Sequence, residues 1–297
     1  MKRMAPLSII LAGSLWGMLG AFVRVICGYG FSTLQLTCLR CILTFLCLLL
    51  FLAVYDRSLL RIQRKDVWIF LGTGICSIAF FSLCYFQTIE MTSLSTAVIL
   101  LYTSPIFVTI LSAVLFQEAI TPRKITALLL AFAGCILITG VLQGSMNLTP
   151  FALLCGLGAG LGYALYSIFG HFAVEKYHPF TITLYTFLFA SIVTVPFCRP
   201  PVIVQLFSQH PGAAVPIIVS SILCSVLPYI FYTAGLAHVE AGKAAILAAI
   251  EPVVGTLVSV FYLKEPLTGT SLAGIFFVLT ALILLNLKSK AKGELQT

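Results

Sequence analysis

The hydrophobic residues of this chain stand in long, nearly uninterrupted runs, unlike the alternating or every-third-residue patterns of water-soluble strands and helices. Ten runs reach about 18 residues or more, the length at which an α-helix crosses the hydrocarbon core of a bilayer. The pattern predicts an all-α polytopic membrane protein with ten transmembrane helices. The predicted spans are 6–26, 34–55, 67–87, 93–116, 124–142, 151–172, 181–198, 213–236, 242–263 and 268–287.

The composition agrees with a chain embedded in lipid. Hydrophobic residues make up 60% of the 297 residues and charged residues only 9%, whereas soluble domains carry about 25% charged residues. We therefore exclude a soluble enzyme, a nucleic-acid-binding protein and a disordered chain, and expect the lipid bilayer as a partner. Cys38 and Cys41 have the C-x-x-C spacing of a metal site. No second pair or nearby histidine completes such a site, so we expect no metal and no cofactor.

The net charge of +8 is distributed unevenly between alternate loops. If both termini are placed inside, the inner segments hold 13 lysines and arginines and the outer segments two, Arg199 and Lys264. Cytoplasmic loops of membrane proteins carry this excess of positive charge. We therefore expect a multi-pass protein of the cytoplasmic (inner) membrane with both termini in the cytoplasm. The inner residues are Lys2, Arg3, Arg57, Arg61, Arg64, Lys65, Arg123, Lys124, Lys176, Lys243, Lys288, Lys290 and Lys292.

The chain also repeats itself at a shift of 147 residues. Between residues 97 and 137 this shift gives ten identities in 41 positions without a gap, including the pairs Pro105 with Pro252 and Glu118 with Glu265. The predicted units are an N-terminal repeat, 1–147, and a C-terminal repeat, 148–297. Because each unit holds five spans, an odd number, the second must insert upside down relative to the first. Two inverted five-helix repeats are an architecture of secondary transporters, which bind substrate between the halves.

With these features the chain resembles the EamA-type family of the drug/metabolite transporter superfamily. The resemblance rests on Trp16-Gly17, Arg40, the run from Ala97 to Glu118, Glu251-Pro252 and Lys264-Glu265-Pro266. It covers nearly the whole chain. The resemblance implies that helices 1–4 and 6–9 enclose a central cavity, with helices 5 and 10 at the periphery. It also implies the export of amino acids and related metabolites, while some relatives move nucleotide precursors or quaternary amines.

Two charged residues lie within the spans as candidates for binding or coupling. Glu251 falls in the middle of a span, where a carboxylate costs roughly 2.5–3.5 kcal/mol, so it should face a cavity or a partner. It would bind a substrate amine, carry a coupling proton, or be held permanently by Tyr or Ser hydroxyls or by Arg40. Arg40 would clamp a substrate carboxylate, or else snorkel outward while it closes the hairpin of helices 1 and 2.

Aromatic residues dominate the predicted interior. A Tyr in lipid would leave its hydroxyl unpaired, so tyrosines in the middle of a span should line a cavity or reach a partner. Two pairs with a spacing of three residues, on helices 6 and 8, should each share one helix face. The alternative is ordinary packing or an interfacial belt. The candidates are Trp16, Tyr85, Tyr102, Tyr163, Tyr166, Tyr229 and Tyr232.

We predict structural roles for three further charged residues. Glu118 and Glu265 end helices 4 and 9 at equivalent positions of the two repeats, where we expect them to fix the turns into helices 5 and 10. Arg24 lies near the end of helix 1, where a long basic side chain reaches the outer interface.

The sequence thus predicts a transporter rather than an enzyme. The first hypothesis is a secondary active or facilitative transporter that exports amino acids or related small metabolites by alternating access, with protons as possible coupling ions. The second is an importer of a cationic or quaternary amine through a tyrosine-lined cavity. An intramembrane enzyme or lipid-handling protein would need a nucleophile and base or a metal set, and the four histidines are scattered. The protein is expected to be a monomer or a homodimer.

Overall fold

The computed structural model describes residues 4–141 and 148–287, and these ranges contain ten helices long and apolar enough to cross a membrane. The predicted number of spans is therefore confirmed, and the described helix ends agree with the predicted ones to within a few residues. Residue 142, where the fifth span was predicted to end, and the basic residues at both ends of the chain lie outside the described ranges. The helices α1–α10 are Ala5–Cys27, Thr33–Tyr55, Arg64–Met91, Leu94–Phe116, Pro122–Thr139, Pro150–Val174, Pro179–Phe197, Pro211–Leu236, Ala241–Phe261 and Gly269–Asn286.

The connections between successive helices alternate between two faces of the bundle. We call the face that holds the start of α1 and the end of α10 the terminus face, and the other the opposite face. On the terminus face, Lys176 of the α6–α7 turn donates to Asp66 at the start of α3 over 2.8 Å. This hydrogen bond raises the pKa of the Lys176 ammonium group. On the opposite face, Arg24 at the end of α1 pairs with Glu265 of the α9–α10 turn.

The two halves share local backbone conformations and helix caps as well as identical residues. Gln117 and Lys264, which are 147 residues apart, both adopt left-handed backbone angles, with φ of 57° and 59°. Thr121 and Thr268, also 147 apart, both cap the next helix by accepting from the backbone N–H three residues on. Such a cap satisfies one of the free N–H groups at a helix start. The repeat predicted from identities is therefore also a repeat of backbone conformation.

A π-helical segment recurs in the same way. It spans Gly72–Ala79 in α3 and Ile222–Val226 in α8, and the 147-residue shift brings 75–79 onto 222–226. A π segment inserts an extra residue into a helical turn and often marks a functional site. The sequence analysis did not predict it, because hydrophobic runs carry no signal for the hydrogen-bond register within a helix.

Helices α5 and α10 pack closely against each other. A Cβ added to Gly134 of α5 would lie 2.7 Å from the carbonyl oxygen of Gly274 on α10, so the two backbones touch. This close approach depends on small residues, as is common between membrane helices. The expectation that α5 and α10 are only peripheral needs correction, because the ends of both helices reach the central cavity through Ile138, Thr139 and Ser271.

One additional helix was not predicted. Pro200–Gln209 lies between α7 and α8 on the opposite face, in a stretch too short and too polar to read as a span. Its Ile203 is buried, and Phe207 packs edge-on against Phe31 of the α1–α2 turn with the ring centres 5.2 Å apart. This short helix therefore covers the turn between α1 and α2.

Candidate functional site: a cavity open to the opposite face

Helices α4 and α9 are both broken near the middle of the bundle. Helix α4 consists of Leu94–Leu101 and Ser104–Phe116, and α9 of Ala241–Ala248 and Glu251–Phe261. Each second half has a proline as its second residue, Pro105 or Pro252. Proline has no N–H to continue the hydrogen-bond ladder, and its ring clashes with the preceding turn. Broken helices at corresponding positions of two repeats are typical of transporter binding sites.

The break places Glu251 at the first position of a half-helix. The carboxylate therefore stands at a helix N-terminus, where the peptide dipoles favour a negative charge. The equivalent residue of the first repeat is Ser104, which is buried. The two breaks thus share backbone geometry, while a carboxylate occurs in only one of them.

A cavity of about 620 Å³ lies in front of this break. Most of its lining residues come from the halves of α1, α2, α3, α4 and α9 that are nearer the opposite face, including Leu94, and α8 contributes Ser225 and Tyr229 from near its middle. Glu265 lines the cavity at the opposite face. The cavity therefore opens to the opposite face and ends near the middle of the bundle. Its volume lies within the range of roughly 300–1,000 Å³ that is usual for small-molecule sites.

Glu251 lines the cavity and has one side-chain partner among the described residues. Tyr163 donates its hydroxyl to Glu251 Oε2 over 3.2 Å. No basic residue of the described ranges lies within ion-pair distance of Glu251, and the predicted alternative of a permanent pair with Arg40 is therefore not what the structure shows. The remaining carboxylate oxygen is available to a group in the cavity.

Arg40 of α2 also lines the cavity, and it is anchored to α8. Its Nη2 donates to the carbonyl oxygen of Cys224 over 2.6 Å, and its Nε donates to Ser225 Oγ over 3.0 Å. Pro228 has no N–H, so the Cys224 carbonyl lacks its usual helical donor, and Arg40 replaces it. Arg40 thus neither snorkels to the interface nor closes the α1–α2 hairpin. Its Nη1 makes no hydrogen bond to the described residues and can still donate into the cavity.

The aromatic candidates divide into two layers. Trp16, Tyr85, Tyr102 and Tyr229 line the cavity. None of the three tyrosine hydroxyls, nor the indole N–H of Trp16, has a hydrogen-bond partner in the described part of the chain. They are also absent from its fully buried unpaired atoms, so they remain accessible from the cavity. The front layer therefore offers several free donors close to one carboxylate and one guanidinium group.

The other three candidate tyrosines form a second layer behind the first. Tyr166 shares a hydrogen bond of 2.8 Å with Thr233, and Tyr232 shares one of 2.6 Å with Ser167. Tyr163 holds Glu251, as described above. All three rings pack against front-layer rings. Trp16 lies 6.1 Å from Tyr163 and 5.4 Å from Tyr232, and Tyr166 lies 5.0 Å from Tyr229 between ring centres. The predicted pair on α8 therefore does not act as one face, since Tyr229 lines the cavity and Tyr232 does not.

The cavity is closed on the terminus face by a set of contacts that we call the terminus latch. Glu118 of the α4–α5 turn accepts from the backbone N–H groups of Ala241 and Gly242, at 2.6 and 3.1 Å. Its Oε2 also lies 3.0 Å from Lys124 Nζ, which in turn pairs with Glu240. Glu118 was predicted to fix the turn into α5, and its carboxylate also joins the first repeat to the start of α9.

The structure shows where the cysteines with metal-like spacing lie. Cys38 and Cys41 are buried in α2. No group of three or more His, Cys, Asp or Glu residues in the described ranges is arranged to hold a metal ion.

Comparisons with known proteins agree with this architecture. The profile of the EamA-like transporter family matches residues 3–140 and again residues 150–287. The chain belongs to the EamA-like transporter family. The second match begins 147 residues after the first, the same shift that aligns the two halves.

Several relatives of this EamA-like chain match it over most of its length. An uncharacterized transporter of Archaeoglobus fulgidus is 29% identical over 283 residues, which cover 95% of this chain and 96% of the relative. The uncharacterized transporter YetK of Bacillus subtilis is 25% identical over 85% of this chain and 78% of its own length. The uncharacterized inner membrane transporter YicL of Salmonella typhimurium is 22% identical, with 98% of both chains covered. These relatives support a membrane transporter and name no substrate.

One solved structure shares the fold of this EamA-like transporter. It is 15% identical, covers 96% of this chain and 97% of its own, and superposes with a TM-score of 0.77. At this identity the likeness concerns the fold alone.

Sequence reasoning missed two functional features of this EamA-like protein. The first is the partner of Arg40, although Pro228 signals a carbonyl without a donor four residues earlier. The second is the role of Lys124, which is buried although it lies in a basic loop cluster. A buried lysine requires a charged partner, and Glu118 six residues earlier was a candidate for it.

Proposed function

We propose that this EamA-like transporter exports amino acids or closely related zwitterionic metabolites across the cytoplasmic membrane by alternating access. The observation that carries this proposal is that Glu251 and Arg40 line the same cavity. A carboxylate pairs with the ammonium group of an amino acid, and a guanidinium donates to its carboxylate. The free hydroxyls of Tyr85, Tyr102 and Tyr229 add donors for that carboxylate, and the rings around them suit an apolar side chain.

The side of the membrane to which the cavity opens is inferred from the charges of the loops. If the terminus face is cytoplasmic, as the excess of basic residues indicates, the cavity of this structure opens to the outside. The terminus latch then closes the path from the cytoplasm. An exporter in this state has released its substrate and awaits the return to the inward-open state, which a proton on Glu251 could accompany.

The cationic-amine importer remains the second candidate, and one observation favours it. The rings of Trp16, Tyr163 and Tyr229 lie close to Glu251 or to one another, and aromatic faces attract cations. Arg40 argues against this candidate, because it places a second positive charge in the cavity that would receive the cation.

The decisive experiment compares three ligands with the same side chain. Purified protein is titrated with phenylalanine, with phenethylamine, which lacks the carboxylate, and with N-acetylphenylalanine, which lacks the amine; leucine and its analogues form a second series. The proposal predicts binding of the amino acid, with at least about tenfold weaker binding of either analogue, since each loses one charge-assisted hydrogen bond. Equal or tighter binding of phenethylamine would establish the second candidate.

The same purified protein supplies the test of transport itself. In proteoliposomes, counterflow of the amino acid that binds should occur with and without a pH gradient, and acceleration by the gradient would show proton coupling. Glu251→Gln is the matched variant, since it keeps the volume of the side chain and removes its charge. No binding or counterflow of any amino acid in either series would refute the proposal.

A further inference from the structure

Glu265 has the same local backbone structure as Glu118, the central residue of the terminus latch. Each glutamate follows a residue with left-handed backbone angles. Glu118 donates its N–H to the carbonyl oxygen of Ser112 over 3.3 Å, and Glu265 donates to that of Ser259 over 3.1 Å. These two serines are themselves 147 residues apart. The second repeat therefore presents Glu265 on the opposite face just as the first presents Glu118 on the terminus face.

The partners of Glu118 also have counterparts in the other half. The 147-residue shift takes Ala241 and Gly242, whose N–H groups Glu118 binds, onto Leu94 and Ser95, the first residues of α4. Ser93 accepts from the N–H of Thr96 over 3.2 Å. The N–H groups of Leu94 and Ser95 have no acceptor among the described residues. The start of α4 thus has two free N–H groups in the position where α9 is bound by Glu118.

The open mouth of the cavity separates these two parts. Leu94 and Glu265 both line the cavity at the opposite face. The carboxylate of Glu265 is now paired with Arg24 of α1, and both side chains are about half exposed. An exposed pair of this kind contributes little free energy, so Glu265 can exchange Arg24 for a better-enclosed partner at small cost.

We infer that Glu265 forms a second latch when the cavity closes to the opposite face, by leaving Arg24 and accepting from the N–H groups of Leu94 and Ser95. Glu118 and Glu265 then alternate, each joining its own turn to the start of the other repeat's broken helix. This inference rests on the alternating access of the proposed function. It does not depend on which substrate is carried.

The second latch differs from the terminus latch in charge. Lys124, Glu240 and Gly242 of the terminus latch correspond to Ser271, Ser93 and Ser95 at the opposite face. Hydroxyl groups there replace the buried ammonium and its second carboxylate. The second latch therefore has fewer charge-assisted bonds. This agrees with a structure in which the terminus latch is closed and the opposite face is open.

A disulfide can trap the second latch. In the terminus latch a Cβ added to Gly242 would lie 3.3 Å from Ser112 Oγ. If the second latch repeats this geometry, cysteines at the equivalent positions, Ser95→Cys and Ser259→Cys, bring the Cβ of one close to the γ atom of the other, as a disulfide with a Cβ separation of roughly 3.5–4.5 Å requires. Copper phenanthroline oxidises the double variant, and Ser112→Cys with Gly242→Cys is the matched pair for the latch that is already closed.

The native cysteines do not obscure a cross-link from Ser259→Cys. Trypsin cleaves after Lys243 and Lys264, and the peptide 244–264 between them contains no native cysteine. A cross-link from Ser259→Cys is therefore read by mass spectrometry on a peptide of its own. The single variant Ser259→Cys shows any link to Cys76 or Cys84, which share a tryptic peptide with residue 95.

Three substitutions then test the role of the glutamates in the double-cysteine protein. Glu265→Gln should slow the cross-link about tenfold, because a neutral amide offers one acceptor oxygen where the latch of Glu118 uses both carboxylate oxygens, one for each N–H group. Glu118→Gln should accelerate it by weakening the terminus latch. Arg24→Gln should also accelerate it, since it releases Glu265 from its present partner.

The inference is overturned if Ser95→Cys and Ser259→Cys fail to cross-link under conditions that link the matched pair. It is equally overturned if Glu265→Gln leaves the rate unchanged, or if it moves the rate in the same direction as Glu118→Gln. Should Glu265→Gln fail to yield monodisperse protein, acceleration by both Arg24→Gln and Glu118→Gln supports the inference, and its absence overturns it. Since no substrate is added, failure here leaves the proposed recognition of amino acids untouched.

Discussion

The position of Glu251 depends on a close contact between α1 and the break in α9, and the glycines of α1 allow a direct test of it. An ideal Cβ on Gly17 would lie 2.5 Å from the carbonyl oxygen of Glu251 and 2.9 Å from Val254 Cβ. Gly20, one turn further along α1, has open space in the same place, with no atom within 4 Å of its Cβ. The variants Gly17→Ala and Gly20→Ala therefore add the same methyl group to the same helix in two different surroundings.

The structure sets the size of the expected difference. Ordinary contact begins at 3.4 Å, so the methyl group of Gly17→Ala must move α1 and α9 apart by about 0.9 Å, and the atom that it meets is backbone. Overpacking of this kind costs about 1–3 kcal/mol. Both variants gain the same helix propensity of up to about 1 kcal/mol from Gly to Ala. Their difference therefore isolates the strain, and we expect Gly17→Ala to be about 1–3 kcal/mol less stable than Gly20→Ala.

The assay is thermal unfolding of both variants and the wild type in one detergent, followed by amino-acid binding at a temperature where all are folded. Gly20→Ala should unfold at or above the wild-type temperature and Gly17→Ala clearly below it. Gly17→Ala should also bind more weakly, because the first turn after the break carries Glu251. If Gly17→Ala were as stable as Gly20→Ala, the contact would not position the carboxylate and the reasoning would be refuted.

Three further substitutions probe the two layers of the site and its closed end. Glu251→Gln should fold normally but weaken amino-acid binding about tenfold or more, or lose acceleration by a pH gradient, as binding and flux assays would show. Ser167→Ala should lower stability by about 1 kcal/mol, because it removes the partner of the buried Tyr232 hydroxyl, while titration should show nearly unchanged affinity. Lys124→Met should cost about 3–5 kcal/mol by leaving Glu118 without its buried ammonium partner, and the double variant with Glu118→Gln should recover part of the loss in thermal unfolding.

The fold could be predicted because its signal is repeated along the whole chain. Each span needs only enough apolar length, and the odd number of spans per repeat fixes the inversion. The matched prolines, Pro105 and Pro252, were evidence of the repeat, and in the structure they lie next to the breaks in α4 and α9. The cost of a carboxylate in lipid predicted that Glu251 faces a cavity or a partner, and in the structure it lines the cavity and binds Tyr163.

The finer arrangement of the site could not be predicted, because it depends on contacts between residues distant in sequence. Tyr229 and Tyr232 are three residues apart and should share a face, but only Tyr229 lines the cavity, while Tyr232 packs against Trp16 and shares a hydrogen bond with Ser167. Arg40 finds its partners 184 and 185 residues away, at a carbonyl that a proline leaves free. A pattern of hydrophobic residues carries no information about either of these contacts.

The two repeats share their turns, helix breaks and π segments, but they place different side chains at the cavity. Tyr85 corresponds to Tyr232, but only the first lines the cavity, and the two charged groups have no charged counterparts, since Glu251 corresponds to Ser104 and Arg40 to Phe187. Under the proposed alternating access, shared turns, breaks and π segments would let each half adopt the arrangement of the other. Two charged groups without charged counterparts in the other repeat give the site one fixed chemical polarity. A symmetric backbone with an asymmetric site is therefore what a transporter needs in order to present one substrate orientation to both sides of the membrane.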